Sequence, residues 1–174
     1  MKKLLIVIDM QNDFITGSLG SPGAEKILPN VAARIEEYRQ NCDKVIFTRD
    51  THDDDYLNTQ EGKYLPVVHC VGGTDGHRIA SGLDTSGCET LDKPAFGSLE
   101  LAELAAKEDA CEIELCGLCT DICVVSNALI LKARLPETKI TVDAACCAGA
   151  TDEGHRAALL TMKMCHVNII EANG

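Results

Sequence analysis

No tryptophan occurs in this chain of 174 residues, and its aromatic side chains are three tyrosines and three phenylalanines. No apolar run approaches the roughly 20 residues that a bilayer-spanning helix needs. Basic residues are scarce: 16 lysines and arginines stand against 27 aspartates and glutamates, a net charge of −11 with neutral histidines. That balance argues against broad nucleic-acid binding, which needs a basic footprint, and against a polybasic membrane contact. No phosphate-loop pattern G-x-x-x-x-G-K-[ST] is present. The stretch 17–23 is rich in glycine, but it carries Pro22 and opens no obvious helix. Asp9 lacks the second aspartate of an aspartyl-phosphate hydrolase.

The chain begins basic and then apolar, as an export signal would. The apolar run is five residues long, Asp9 ends it, and no small-residue cleavage site follows. A buried first strand fits better, and a cytoplasmic location is expected. The ten cysteines are then expected to be reduced, and most of them to act as small hydrophobes.

The length suits one domain over 1–174 with a core of its own. Short apolar runs at 4–8, 44–48, 88–91, 111–116, 139–142 and 167–170 read as strands. They alternate with helical patterns at 28–39, 99–107, 120–134 and 151–164. In the second helix Ser98 is the expected cap. Pro29 is expected in the first turn of the first helix. This alternation predicts an α/β fold: three α/β/α layers around a mainly parallel sheet, Rossmann-like, with right-handed crossovers. The strands read as continuous apolar runs, as strands covered on both faces should. Residues 50–88 show little periodicity, and so long a loop is usually functional.

In such sheets ligands bind beyond the carboxyl ends of the strands, so the residues after each strand carry the chemistry. Thr120 is a plausible helix cap, which would put Cys123 in the first turn, where the helix end favours a thiolate. Asp9 directly follows the first strand. Burial there would raise its pKa unless a cation is close, and Lys93, after the third strand, is a candidate cation. Asp50, His52, Glu61 and His69 form a set of oxygen and nitrogen donors. Asp50 and His52 are two residues apart at a strand end and so share a face. Two histidines with two carboxylates suit zinc, with manganese or iron as alternatives, and do not suit calcium. His77 and His155 have no comparable partners and read as structural. Cys116 and Cys119 have the spacing of a thiol redox pair.

Four segments, in order along the chain, resemble the isochorismatase-like cysteine hydrolase superfamily, and within it the nicotinamidase-related branch. Asp9-x-Gln-Asn-Asp-Phe14 is similar to the opening motif and Lys93-Pro-Ala-Phe96-Gly-Ser to the lysine segment. Cys116-Gly-Leu-Cys119-Thr-Asp-x-Cys123-Val is similar to the nucleophile segment, and Asp143-Ala-Ala through His155 to the tail. The resemblance covers nearly the whole chain. It implies hydrolysis of a small-molecule amide through a thioester on Cys123, with Asp9 as general base and acid and Lys93 as cationic partner. It also implies a cis peptide at Leu118–Cys119 and an oxyanion hole made by the amides of Cys119 and Cys123. Asp50, His52 and His69 fall on ligand positions for a divalent metal near the triad, and Glu61 stands where many members have a third histidine. Cys119 departs from the small apolar residue usual there. No organic cofactor is implied. Phe14, Tyr64 and Phe96 are candidates to pack on a planar substrate, although so few aromatics are also natural core fillers. The apolar, cysteine-rich C-terminal half and the family's habit lead us to expect a homo-oligomer. Other readings are an isochorismatase-type or carbamoyl/ureido hydrolase on the same fold, and a non-catalytic metal-binding or thiol redox protein.

Overall fold

The structure, a computed structural model, describes residues 2–171. Its centre is β1 (Lys3–Ile8), whose residues Leu4 to Ile8 are fully buried. A strand this apolar on both faces can only sit inside a sheet with helices above and below. Around it lie β2 (Lys44–Asp50), β3 (Glu89–Lys93), β4 (Glu112–Leu118), β5 (Lys139–Ala148) and β6 (Asn168–Ile170). All pairings are parallel and the order is β3-β2-β1-β4-β5-β6.

The helices are α1 (Asn12–Ile15), α2 (Pro22–Gln40), α3 (Gln60–Tyr64), α4 (Leu99–Lys107), α5 (Val125–Arg134) and α6 (Asp152–Met164). Strand order runs outward from β1 to β3, then returns to β4 on the other side of β1. With right-handed crossovers, that reversal puts α2 on one face and α4, α5 and α6 on the other. The carboxyl ends of β1 and β4 flank the reversal, where a crevice opens. No helix among the described residues is long and apolar enough to cross a membrane.

Three expectations need correction. Helix α2 starts at Pro22, not near Leu28, so the glycine-rich stretch does open a helix. Ser21 caps it, its hydroxyl accepting from the Ala24 amide at 3.1 Å. Pro22 fills a first-turn position whose N–H would have no partner in any case, and Pro29 lies inside the helix. Strand β5 runs to Ala148 rather than stopping at Val142, so Asp143 through Cys147 lie within it. Its pairing with β4 jumps from Leu115–Val142 to Gly117–Cys147, and the extra β5 residues bulge out. The segment 51–88 is not bare loop: it holds a 3-10 turn (Tyr56–Asn58), α3, and single bridges from Gln11 to Ile79 and from His52 to Val71.

Two backbone features shape the sheet edge. Gly117 has φ +114°, and a Cβ there would fall 2.1 Å from the Ile8 carbonyl oxygen. Only glycine lets β4 keep its pairing with β1 up to the end of that strand. Asp9 then leaves β1 with φ +47°.

Under α2, Glu114 of β4 is buried. Arg34 donates to it through Nε at 2.6 Å and Nη2 at 2.5 Å, and the Tyr38 hydroxyl donates at 3.1 Å. Removing one partner of a buried pair strands the other charge. Arg34→Leu should therefore cost about 3 kcal/mol in urea unfolding. The double variant Arg34→Leu/Glu114→Leu should regain most of that loss, because no lone charge then remains.

Candidate active site and metal centre

Four strand ends bring the ionisable residues together. Asp9 follows β1, Asp50 ends β2, Lys93 ends β3, and Cys123 lies in the turn after β4. The Lys93 ammonium is 2.6 Å from Asp9 Oδ2, 3.5 Å from Cys123 Sγ and 3.5 Å from Asp50 Oδ1. It also donates to the Ala95 carbonyl at 3.1 Å. Lys93 and Asp9 are 1% and 0% exposed, so these charges meet with little water to weaken them.

Burial by itself would lower the Lys93 pKa, but Asp9, Cys123 and Asp50 outweigh it and hold the ammonium above its usual range. Burial raises the Asp9 pKa even though Lys93 pulls it down. The Cys123 thiol is pushed well above normal, first by burial and then by the charge of Asp9, with Lys93 opposing. One positive group thus faces two acids that both resist ionising, an arrangement that favours a single shared negative charge. The Asp9 carboxylate is held by Thr48, whose hydroxyl donates to Oδ1 at 2.7 Å and accepts the Asp9 amide at 3.2 Å. Asp9 Oδ2 is buried with the ammonium at 2.6 Å as its close polar partner.

The turn carrying Cys123 differs from expectation. Thr120 does not cap a helix. Residues Thr120–Val124 form a π turn, in which the Val124 amide reaches back to the Cys119 carbonyl at 3.1 Å, and α5 begins only at Val125. The Thr120 hydroxyl pairs instead with His155 Nδ1 at 2.8 Å, and Asp121 accepts the Ala150 amide at 2.9 Å. Cys123 therefore does not sit in the first turn of an α-helix, and its nearest stabilising charge is Lys93. Behind it, Asn127 donates to the Cys123 carbonyl at 2.8 Å and to the Phe96 carbonyl at 3.0 Å. The Asn127 Oδ1 accepts the Ser98 amide at 2.9 Å. One buried side chain thus ties the cysteine turn to the lysine segment. The Leu118–Cys119 peptide is cis.

Asp50, His52, Glu61 and His69 each offer a ligand atom, all within 4.8 Å of one another. Nε2 of His52 is 2.9 Å from Asp50 Oδ2, and Nε2 of His69 is 3.4 Å from the same oxygen. Both ring nitrogens lie 3.7 Å from Glu61 Oε1. His69 Nδ1 is 2.8 Å from the Val67 carbonyl, which can only accept. In the neutral ring the Nε2 lone pair then faces two carboxylates. Such a cluster of acceptors calls for a cation at its centre, and a backbone bond fixing the other nitrogen is the usual support of a metal-bound histidine. Asp50 Oδ1 is buried without a hydrogen bond. The four residues fit a divalent ion. The two rings touch each other with centroids 4.8 Å apart, and the fully buried Tyr56 packs against both at 4.6 and 5.0 Å.

A cavity of about 730 Å³ opens over both groups. Phe14, Tyr64 and Phe96 all line it. Tyr64 is 84% exposed and Phe96 43%, so neither fills the core. Cys119 and Cys123 are both on its wall. Cys119 is pushed up to about 12 by burial. Cys116 is fully buried within β4, which denies the Cys116–Cys119 pair a shared accessible face. His77 bonds to Thr51 Oγ1 at 2.8 Å and sits apart from the four ligands.

The strand-end reading overlooked several supporting residues. Gln11 accepts the Asp50 amide at 2.7 Å and donates to the Asp50 and His77 carbonyls, both at 2.9 Å. Its place within Asp9-x-Gln-Asn-Asp-Phe14 was the available signal. Thr48 and Asn127 carried none. Leu19 and Ser21 line the cavity because α2 begins earlier than its apolar spacing suggests.

Comparison with known proteins agrees with this geometry. The family model for the isochorismatase domain matches residues 3–173. A nicotinamidase/pyrazinamidase of Mycobacterium tuberculosis is 26% identical over 188 residues, covering 97% of this chain and 98% of that protein. A probable inactive nicotinamidase of Arabidopsis thaliana is 32% identical over 177 residues, covering 91% and 87%. The crystal structure of a pyrazinamidase of Pyrococcus horikoshii in complex with zinc superposes with a TM-score of 0.87 at 26% identity, covering 99% of this chain and all of that one. With its six-stranded parallel sheet and a family match along almost its full length, the chain belongs to the isochorismatase family.

Proposed function

We propose that the protein is a cysteine amidohydrolase that cleaves the C–N bond of a small carboxamide through a thioester on Cys123. The observation that carries this reading is the Lys93 ammonium in contact with both Asp9 and Cys123. The similarity to a nicotinamidase/pyrazinamidase and to a pyrazinamidase supports an amide as the bond broken.

In the reaction, Asp9 takes the thiol proton of Cys123 on Oδ2. The negative charge passes from the carboxylate to sulfur without leaving the reach of Lys93, so the transfer separates little charge. The thiolate adds to the amide carbonyl. The amides of Cys119 and Cys123 receive the oxyanion, an effect worth about 2.7–4 kcal/mol per donor. Asp9 returns its proton to the leaving nitrogen, which departs as ammonia from a primary amide. Water then enters, Asp9 takes one of its protons, and hydroxide adds to the thioester. The carboxylic acid leaves, and the proton goes back to sulfur. Phe14, Tyr64 and Phe96 pack on the planar part of the substrate. Asp50, His52, Glu61 and His69 would hold a divalent ion, zinc first by ligand chemistry, which when bound supplies Lewis acidity at the floor of the cavity.

Incubation with nicotinamide and a panel of small amides, read as ammonia release, should find turnover. Cys123→Ala should lower kcat at least a thousandfold while circular dichroism and thermal unfolding stay close to wild type. Substantial residual activity would remove Cys123 as the nucleophile. Elemental analysis of the purified protein should find a stoichiometric divalent metal that His52→Ala loses. A metal-free wild type with full activity would exclude a functional metal.

A further inference from the structure

The cavity has a chemical character of its own. Its walls are mostly apolar, with Leu19, Ala24, Tyr64, Leu65, Phe96 and Ile122 among the lining residues. Among the described residues, no lysine or arginine lines it. Lys93, which touches the lining residues Cys123 and Asp50, is buried and already engaged by them and by Asp9. The charged groups that do face the cavity are Asp50 and Glu61. With a divalent ion on the metal ligands, its two positive charges are matched by those two carboxylates, so no net positive charge is spare. A carboxylate at the far end of a substrate, away from the four metal donors, would meet an apolar wall with no cationic side chain on it, a costly exchange for whatever water it gives up. The size also matters. Cavities of roughly 300–1,000 Å³ enclose drug-sized ligands, and about 730 Å³ leaves most of the apolar wall untouched by a single small ring.

We propose that the site selects an uncharged carboxamide carrying an extended apolar body, and rejects substrates that bear a carboxylate. The proposal rests on the amidohydrolase reading for the bond broken but not for binding. Discrimination comes from two sources. Apolar contact with Leu19, Leu65 and Ile122 rewards each added methylene, and the lack of a free cation penalises an anion.

Binding to Cys123→Ala, measured by titration calorimetry, separates recognition from turnover. Benzamide, 4-butylbenzamide and 4-carbamoylbenzoate share one ring and one amide and differ only at the far end. We expect 4-butylbenzamide to bind at least tenfold more tightly than benzamide, and 4-carbamoylbenzoate at least tenfold more weakly. Leu19→Arg, made in the same background, should bring the carboxylate compound to or above the affinity of benzamide. Equal affinities for benzamide and its butyl derivative, tight binding of the carboxylate without the new arginine, or no measurable binding of any of the three would each overturn the proposal. Ammonia release by wild type from any of nicotinamide, benzamide and 4-butylbenzamide is scored separately. Its absence counts against the catalytic reading alone, and its presence beside flat affinities counts against this proposal alone.

Discussion

An ammonium withdrawn from water holds the catalytic edge of the sheet together. Lys93 could not stay charged in that place alone, because desolvation of a lone ion costs several kcal/mol even after relaxation. It stays charged because three acidic groups from three other elements converge on it: Asp9 at 2.6 Å, and Cys123 and Asp50 each at 3.5 Å. The dependence is mutual. Asp9 and Cys123 are both raised by burial, and without the lysine neither would hold negative charge easily. In the proposed reaction a proton passes between them while the compensating charge stays in place. The fold's task is to deliver these groups to one point from strands far apart in sequence.

The sheet does this through its order. β1 is central, with β2 and then β3 on one side and β4 on the other, so the ends of four strands face a single crevice. Parallel pairing keeps all the carboxyl ends on one edge. The close approach of Gly117 to the Ile8 carbonyl keeps β4 tight against β1 up to the crevice, and the turn of Thr120–Val124 then directs Cys123 back over it. Asn127 binds that turn to the segment after β3, so the cysteine and the lysine cannot shift independently.

Much of this was legible in the residues. Asp9, Asp50, His52, Lys93 and Cys123 each end or follow a strand, and strand ends in a parallel sheet meet by topology, whereas Glu61 and His69 lie between β2 and β3 and stand out by donor chemistry alone. What stayed hidden has common physical causes. α2 was read six residues late because its first turn is Ser21, Pro22 and Gly23, which lack apolar periodicity and are held by a cap and a proline. β5 was read six residues short because Asp143 interrupts an apolar run that continues as a bulged strand. Thr120 was read as a cap because local propensity cannot foresee His155, thirty-five residues on, claiming its hydroxyl. Thr48 binds Asp9 and Asn127 binds Phe96 and Ser98 across about thirty to forty residues of sequence, and no spacing rule marks such partners.

The four clustered donors and the group around Lys93 are not separate, because Asp50 belongs to both. Its Oδ2 faces the two histidines, while its Oδ1 faces Lys93. Burial would raise this carboxyl, yet the histidine contacts and the lysine charge keep it below the usual carboxylate range, so Asp50 remains an anion shared by two sites. A divalent ion among the four donors would share Asp50 with Lys93, so the two clusters draw on one carboxylate.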